Sequence, residues 1–315
     1  MLKPQNRRIK ARARPIPTFL PYMDTRQRTA YAYGLATVLL WSTVASAFKI
    51  SLRHVDHIQL LCVSTLVSAL TLLAVLVAQG KLRSLRGLSG ADLGRSALLG
   101  LLNPFLYYLI LFKAYDLLPA QEAQPLNYTW AITLALLSIP LLGQRITGRD
   151  FLAMGVSYLG VLTICTRGDL LGLSFADPLG AGLALGSTVI WALYWIFNTR
   201  DAMDPVLRLF LNFAFGFAYI LPVTFLFSDP LAVNLPGLLG AAYVGVFEMG
   251  ITFIFWLKAL KLSRTTAQVG NLIYFSPFLS LIFIRIFVGE EILPSTIVGL
   301  GVIILGNVVQ KRSEG

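Results

Sequence analysis

Ten stretches of about 20 mainly apolar residues follow one another along this chain, and that pattern restricts the fold more than any other feature. Inside a bilayer no water can satisfy a backbone N–H or C=O, so each stretch must become a helix that closes its own hydrogen bonds. The stretches lie near 30–51, 57–79, 96–115, 119–142, 150–166, 177–198, 206–228, 236–258, 265–288 and 293–310, with 119–166 open to another division. Composition agrees: 13% of the 315 residues are charged, about half the roughly 25% of a soluble domain. The fold class expected is an all-α membrane protein with ten transmembrane helices.

Charge supplies the direction. If the N-terminus is cytoplasmic, 21 of the 26 Lys and Arg residues fall on the inner ends. They include the tail over 1–29, the connection Lys81–Arg95, and Lys311 and Arg312 near the C-terminus. Lys49, Arg53, Lys113, Arg167 and Arg285 remain near the outer side, where long side chains at span ends reach the headgroups. This asymmetry accounts for the net charge of +11 without a polyanion, so no nucleic-acid partner is expected. The reading is a multi-pass cell-membrane protein, leaning to a bacterial inner membrane, with residues 1–29 and 311–315 as cytoplasmic tails. Ala45-Ser46-Ala47 has the small-x-small form of a signal-peptidase site. Cleavage there would remove a helix that the repeat described next requires. Cys62 and Cys165 both fall in apolar spans and read as small buried hydrophobes.

The chain repeats itself. Lys113-Ala114 and Lys258-Ala259 each end a span 145 residues apart, and Leu98-Leu99-Gly100 matches Leu238-Leu239-Gly240 at an interval of 140. Trp41 matches Trp191, and Gln124-x-x-Asn127-x-x-Trp130 matches Gln268-x-x-Asn271-x-x-Tyr274. Gly143-Gln144-Arg145 pairs with Gly289-Glu290-Glu291, and Gly155/Gly160 with Gly301/Gly306. Each unit holds five helices, an odd number, so the second enters the membrane upside down relative to the first. The domains expected are therefore two inverted five-helix repeats, 30–166 and 177–310. Inverted repeats recur in secondary transporters, with the substrate site near the midplane between the halves.

Those residues resemble the drug/metabolite transporter superfamily, of the ten-helix EamA type, over roughly 30–310. Leu142-Gly143-Gln144-Arg145-Ile146 and Val288-Gly289-Glu290-Glu291-Ile292 stand where that family has Leu-Gly-Glu-Arg; Gln144 departs from the pattern. Asn127-Tyr128-Thr129-Trp130 is similar to a segment of the aromatic amino-acid exporter branch. The resemblance implies a central cavity, export of small metabolites such as amino acids, and no ATPase partner.

Some residues offer chemistry. A charge at membrane depth costs at least about 2.5–3.5 kcal/mol, which makes each one a functional candidate. Glu248, near the centre of the eighth span, is the first candidate for coupling; its protonated form escapes that cost and suits a proton that comes and goes. Glu122, near the outer end of the fourth span, is the second. Asn103 stands at the repeat position of Glu248. Residues three and four apart share a helix face, so Gln121, Gln124 and Tyr128 form a polar stripe with Asn127 and Trp130 beside it. Thr265, Gln268 and Asn271, with Tyr274 nearby, form the counterpart. Amides suit a polar or zwitterionic ligand, although hydrogen bonds between helices would use the same groups. Trp41, Trp191, Trp195 and Tyr194 are candidates for a ring-lined wall. Gly182-x-x-x-Gly186 reads as a close-packing motif.

Rival classes are weaker. Gly87-Leu88-Ser89-Gly90 has the look of an intramembrane serine protease motif, but His54 and His57 are expected on the opposite side of the membrane, out of reach of the serine. His54-x-Asp56-His57 supplies few metal ligands, and no Walker-type loop is present. No cofactor is called for. A lipid scramblase or a passive pore needs no distinctive motif and stays open beside the carrier. The partners expected are a small-molecule substrate and the lipid bilayer, with the protein a monomer or homodimer.

Overall fold

The computed structural model describes residues 25–142, 148–171, 177–199, 201, 203–230, 232–263 and 271–311. Among them the chain is helical, without a strand. The elements are α1 (Thr25–Ser51), α2 (His57–Ala78), α3 (Gly90–Gly100), α4 (Tyr107–Leu117), α5 (Ala120–Asn127), α6 (Trp130–Leu142) and α7 (Gly148–Cys165). They continue with α8 (Pro178–Thr199), α9 (Pro205–Phe227), α10 (Leu235–Tyr243), α11 (Thr252–Leu262), α12 (Ser276–Phe283) and α13 (Pro294–Lys311).

Among the described residues, six helical stretches are long and apolar enough to cross a bilayer: Thr25–Ser51, His57–Ala78, Gly90–Leu117, Pro178–Asn198, Pro205–Phe227 and Leu235–Leu262. Shorter apolar helices cover Met154–Cys165, Ser276–Val288 and Pro294–Gly306. Large apolar side chains stay exposed on many of these, among them Leu39, Leu70, Leu159, Phe225, Leu226, Ile286 and Val298. Scattered single residues of this kind are ordinary on a soluble surface; a belt of them around a bundle belongs in lipid.

Two of the long stretches are bent in the middle. Gly90–Leu117 kinks at Asn103, whose extended backbone (φ −144°, ψ 120°) precedes Pro104, as the proline ring demands of its predecessor. Leu235–Leu262 passes through a wider, π-helical stretch over Val244–Ile251, a form that gathers at functional positions. The fourth apolar stretch, expected as one helix over 119–142, is interrupted: α5 ends at Asn127, and Tyr128 and Thr129 form a turn before α6. Pro125 lies inside α5 and contributes no backbone donor there.

Helix starts are capped by short polar side chains. Asp56 Oδ1 accepts from the Ile58 and Gln59 N–H groups, and the Gln59 side chain returns to Asp56 N. Ser89 and Asp92 form the same reciprocal pair at α3. The Gly87-Leu88-Ser89-Gly90 motif is therefore a helix start, and Asp56 beside the histidines is another. Asp204 caps α9 and meets Lys81 Nζ at 2.6 Å. Burial pushes the Asp204 carboxyl up, but Lys81 and the α9 N–H groups hold it below its ordinary value.

Close approaches use glycine. A Cβ at Gly160 would lie 2.5 Å from the Gly299 carbonyl, so α7 and α13 touch backbone to backbone. A Cβ at Gly100 would lie 2.4 Å from Asn212 O, which joins α3 to α9 in the same way. Gly182-x-x-x-Gly186 makes no such approach: nothing among the described residues lies within 4 Å of a Cβ at either position. The motif fits the spacing rule, but both glycines are exposed and meet no neighbour among the described residues.

Polar groups gather at the two ends of the bundle. At one end Lys49 Nζ donates to the carbonyls of Tyr115 (2.7 Å) and Leu118 (2.8 Å), and Arg53 donates to Val288 O (2.7 Å). Both cations answer the partial negative charge of a helix C-terminus, so Lys49 turns inward onto α4 instead of reaching for headgroups. At the other end Arg208, 3% exposed, pairs with Asp201 at 2.7 Å, and Arg95 pairs with the same carboxylate at 3.2 Å.

Candidate functional site

Between these ends lies a cavity of about 80 Å³, room for several waters by the measure of about 10–15 Å³ each. Its walls come from the first half of the chain (α1, α4, α5, the 128–129 turn and α6) and from the second (α8, the π-helical stretch, α11 and the turn at 271–275).

All five tryptophans of the chain line this one cavity: Trp41, Trp130, Trp191, Trp195 and Trp256. Membrane proteins usually station tryptophan at the headgroup level, where the ring is apolar and the N–H stays wet. Here the rings are gathered inside instead. Tyr107 lies 4.6 Å from Trp191 between centroids, Trp191 5.7 Å from Trp195, and Trp41 5.7 Å from Trp256. Phe253 touches both Trp41 and Trp191 and links the two sides of the wall. Offset and edge-on contacts of this kind add about 0.5–1.5 kcal/mol per pair beyond area burial and hold the rings in place.

Glu248 is the one charged side chain among the described residues lining the cavity. It is buried, and its Oε1 accepts from the Tyr108 hydroxyl at 2.9 Å. Its Oε2 has no hydrogen-bond partner; Trp41 Nε1 neighbours the carboxylate but also completes no hydrogen bond. Tyr108 is fully buried on α4, one side of it against Tyr107 and the other against Phe112. The Tyr107 hydroxyl donates to Asn127 Oδ1 (3.2 Å), and Asn127 Nδ2 donates to Ser187 Oγ (2.9 Å). That chain ties α4, α5 and α8 around the cavity. Gln124 adds an unpartnered Oε1.

Eight of the residues expected from sequence thus meet at one place: Trp41, Gln124, Asn127, Tyr128, Trp130, Trp191, Trp195 and Glu248. Asn103 lies elsewhere, fully buried at the kink near Tyr194, whose hydroxyl accepts from Asn212 Nδ2 at 3.3 Å. Glu122 also stands apart, 2% exposed, with Arg167 Nε at 3.0 Å from its Oε1. Thr265 and Gln268 lie outside the described residues, as do Gly143, Gln144 and Arg145; the side chains of Asn271 and Tyr274 are likewise not described. Tyr107, Tyr108, Tyr115 and Trp256 were not anticipated. Trp256 lies two residues from the end of the eighth stretch, where a tryptophan reads as an interface residue, so the sequence carried no signal for it.

A second polar cluster joins the two halves at the Lys49 end. Gly289 takes the left-handed conformation (φ 81°) after Val288. The Glu290 carboxylate then accepts from the backbone N–H of Ala120 (2.9 Å) and Gln121 (3.1 Å) at the start of α5. Gln121 completes the junction: its Nε2 donates to Glu291 O (2.7 Å), and its Oε1 accepts from Leu293 N (2.8 Å).

Among known proteins, the model of the EamA-like transporter family matches residues 28–166 and again 178–309. Two proteins of Archaeoglobus fulgidus, each named an uncharacterized transporter, are similar at 24% identity. One alignment covers 78% of this chain and 85% of the relative; the other covers 88% and 97%. A solved crystal structure superposes with a TM-score of 0.62 over 91% of this chain and 99% of that one, at 22% identity, a likeness of fold alone.

Proposed function

The chain belongs to the EamA-like transporter family and is a membrane transporter; from that premise we propose that it carries a small metabolite through the tryptophan-lined cavity by alternating access, with Glu248 as the coupling residue. The observation that carries this reading is the Glu248 carboxylate, buried in the cavity with one oxygen bound to Tyr108 and the other unpartnered. An oxygen so placed is available to a proton or to a ligand, and the energetic penalty of leaving it bare favours filling it. Tyr108 donates to it and Trp41 neighbours it, while Tyr107, Tyr115 and Tyr128 line the same cavity, with no second charged side chain among the described lining residues. A proton is thus the natural ion to exchange there.

The finer architecture proposed is ten spans in two inverted five-helix repeats. In its support, the bent stretches Gly90–Leu117 and Leu235–Leu262 have equal length, 28 residues, and both their starts and their ends are 145 residues apart. Both are interrupted near the middle, at 101–106 and 244–251. Two related halves facing opposite ways can exchange roles, and the cavity between them then opens to either side. The charge asymmetry puts the Asp204 end in the cytoplasm and the Glu290 end outside. Export of compounds such as amino acids is the direction and class proposed.

Purified protein in liposomes tests the reading, with labelled amino acids and other metabolites offered with and without a pH gradient. Saturable flux that responds to the gradient is expected, and Glu248→Gln should lose the gradient response. Flux that does not saturate would make the protein a pore, phospholipid flipping without solute flux would make it a scramblase, and an unchanged response in Glu248→Gln would remove the coupling role.

A further inference from the structure

Resting on the transport reading above but replacing its amino-acid class, we infer that the cavity selects a compact organic cation, an alkylated ammonium group, over neutral, zwitterionic and anionic solutes of the same size. The charge balance of the walls points that way. Glu248 is the single ionisable acid, no Lys, Arg or His is among the described lining residues, and its Oε2 is buried without a partner. Gln124 Oε1, the second unpartnered acceptor, faces the same space. An anion would meet a carboxylate and no counter-charge.

The rest of the wall suits the same ligand. Aromatic faces carry negative electrostatic potential, and tryptophan attracts a cation most strongly of the three ring types. Every tryptophan in the chain is spent on this cavity. An alkylated ammonium also has an apolar outer shell, which rings accommodate better than they do a hydrated metal ion. A zwitterion would be held by its ammonium end only. Its carboxylate would find Trp41 Nε1 already beside the Glu248 carboxylate and Asn127 Nδ2 given to Ser187.

Because all five tryptophans line the cavity, intrinsic fluorescence reports its occupancy directly. Full-length protein in detergent would be titrated with choline, with its neutral carbon isostere 3,3-dimethyl-1-butanol, and with the zwitterion glycine betaine. Choline should change the emission saturably, with the isostere and the betaine each weaker by about tenfold or more, the scale of an ion pair combined with ring contacts. Glu248→Gln should bring choline down to the level of the isostere, and Glu248→Asp should keep the preference. The wild-type comparison stands without any variant, so a misfolded Glu248→Gln does not remove the test. An isostere within about twofold of choline in the wild type, or a folded Glu248→Gln with its preference intact, overturns the assignment. Amino-acid flux in liposomes without a cation preference would leave the transport reading in place and end this one. Cation binding with no solute flux would do the reverse.

Discussion

At the scale of single residues, the site turns on a bond that joins positions 140 residues apart. Glu248 is legible in the sequence because a lone carboxylate in the middle of an apolar span has few innocent explanations. Its partner is not. A tyrosine in an apolar run reads as packing, and Tyr108 becomes a donor only because α4 lies against the cavity that Glu248 enters. Removing that hydroxyl in Tyr108→Phe leaves both carboxylate oxygens bare. The expected result is a loss of about 1–3 kcal/mol of stability where Glu248 is ionised, read as a lower thermal midpoint in detergent. Glu248→Gln combined with Tyr108→Phe should lose less than the two changes summed, because they share one interaction. Full additivity would mean that the bond contributes nothing. Glu122, expected near the outer end of the fourth span, pairs with Arg167, 45 residues on, where α5 starts and α7 has ended.

Elements were easier to locate than their interruptions. Long apolar runs specify α1, α2, α8 and α9 because lipid leaves the backbone no other way to satisfy itself. The break at Tyr128 and Thr129 was hidden, since the polar residues before it also read as one face of a continuous helix, and Pro125 alone does not say on which side the chain turns. The motif at Gly289-Glu290-Glu291 was visible as a repeat mark, but its work depends on a partner more than 160 residues earlier. Glu290 supplies the acceptor that the first N–H groups of α5 lack, and a carboxylate there also meets the positive end of the helix. Glu290→Ala should therefore destabilise the protein by about 1–2 kcal/mol. It should also speed labelling of a cysteine placed at Ala120, which contributes only its backbone N–H and is 0% exposed while the junction holds. A cysteine at that position equally protected with and without Glu290 would show that the junction does not close this end.

For the molecule as a whole, the decisive property is which ends share a face of the membrane. The alternation of helices brings Ser51, Leu118 and Gly289 to one end, where Lys49, Arg53 and Glu290 stitch neighbouring elements together, and brings Lys81, Arg95 and Asp204 to the other. The bundle fixes those groupings but carries no label for inside and outside; the label comes from the charge count, because positive residues are retained on the cytoplasmic face. Single cysteines at Ser84, in the connection after α2, and at Glu291 would read the outcome, since both positions are exposed whereas Cys62 and Cys165 are buried. In intact cells a membrane-impermeant maleimide should label the cysteine at 291 and spare the one at 84 until the membrane is permeabilised. Labelling of 84 alone would invert the orientation and move the Glu290 junction to the cytoplasmic side, leaving the cavity and its ligand untouched. Labelling of both before permeabilisation would be more damaging. Positions 84 and 291 would then share a face, the two five-helix units could not run in opposite directions, and alternating access by exchange of roles would lose its physical basis.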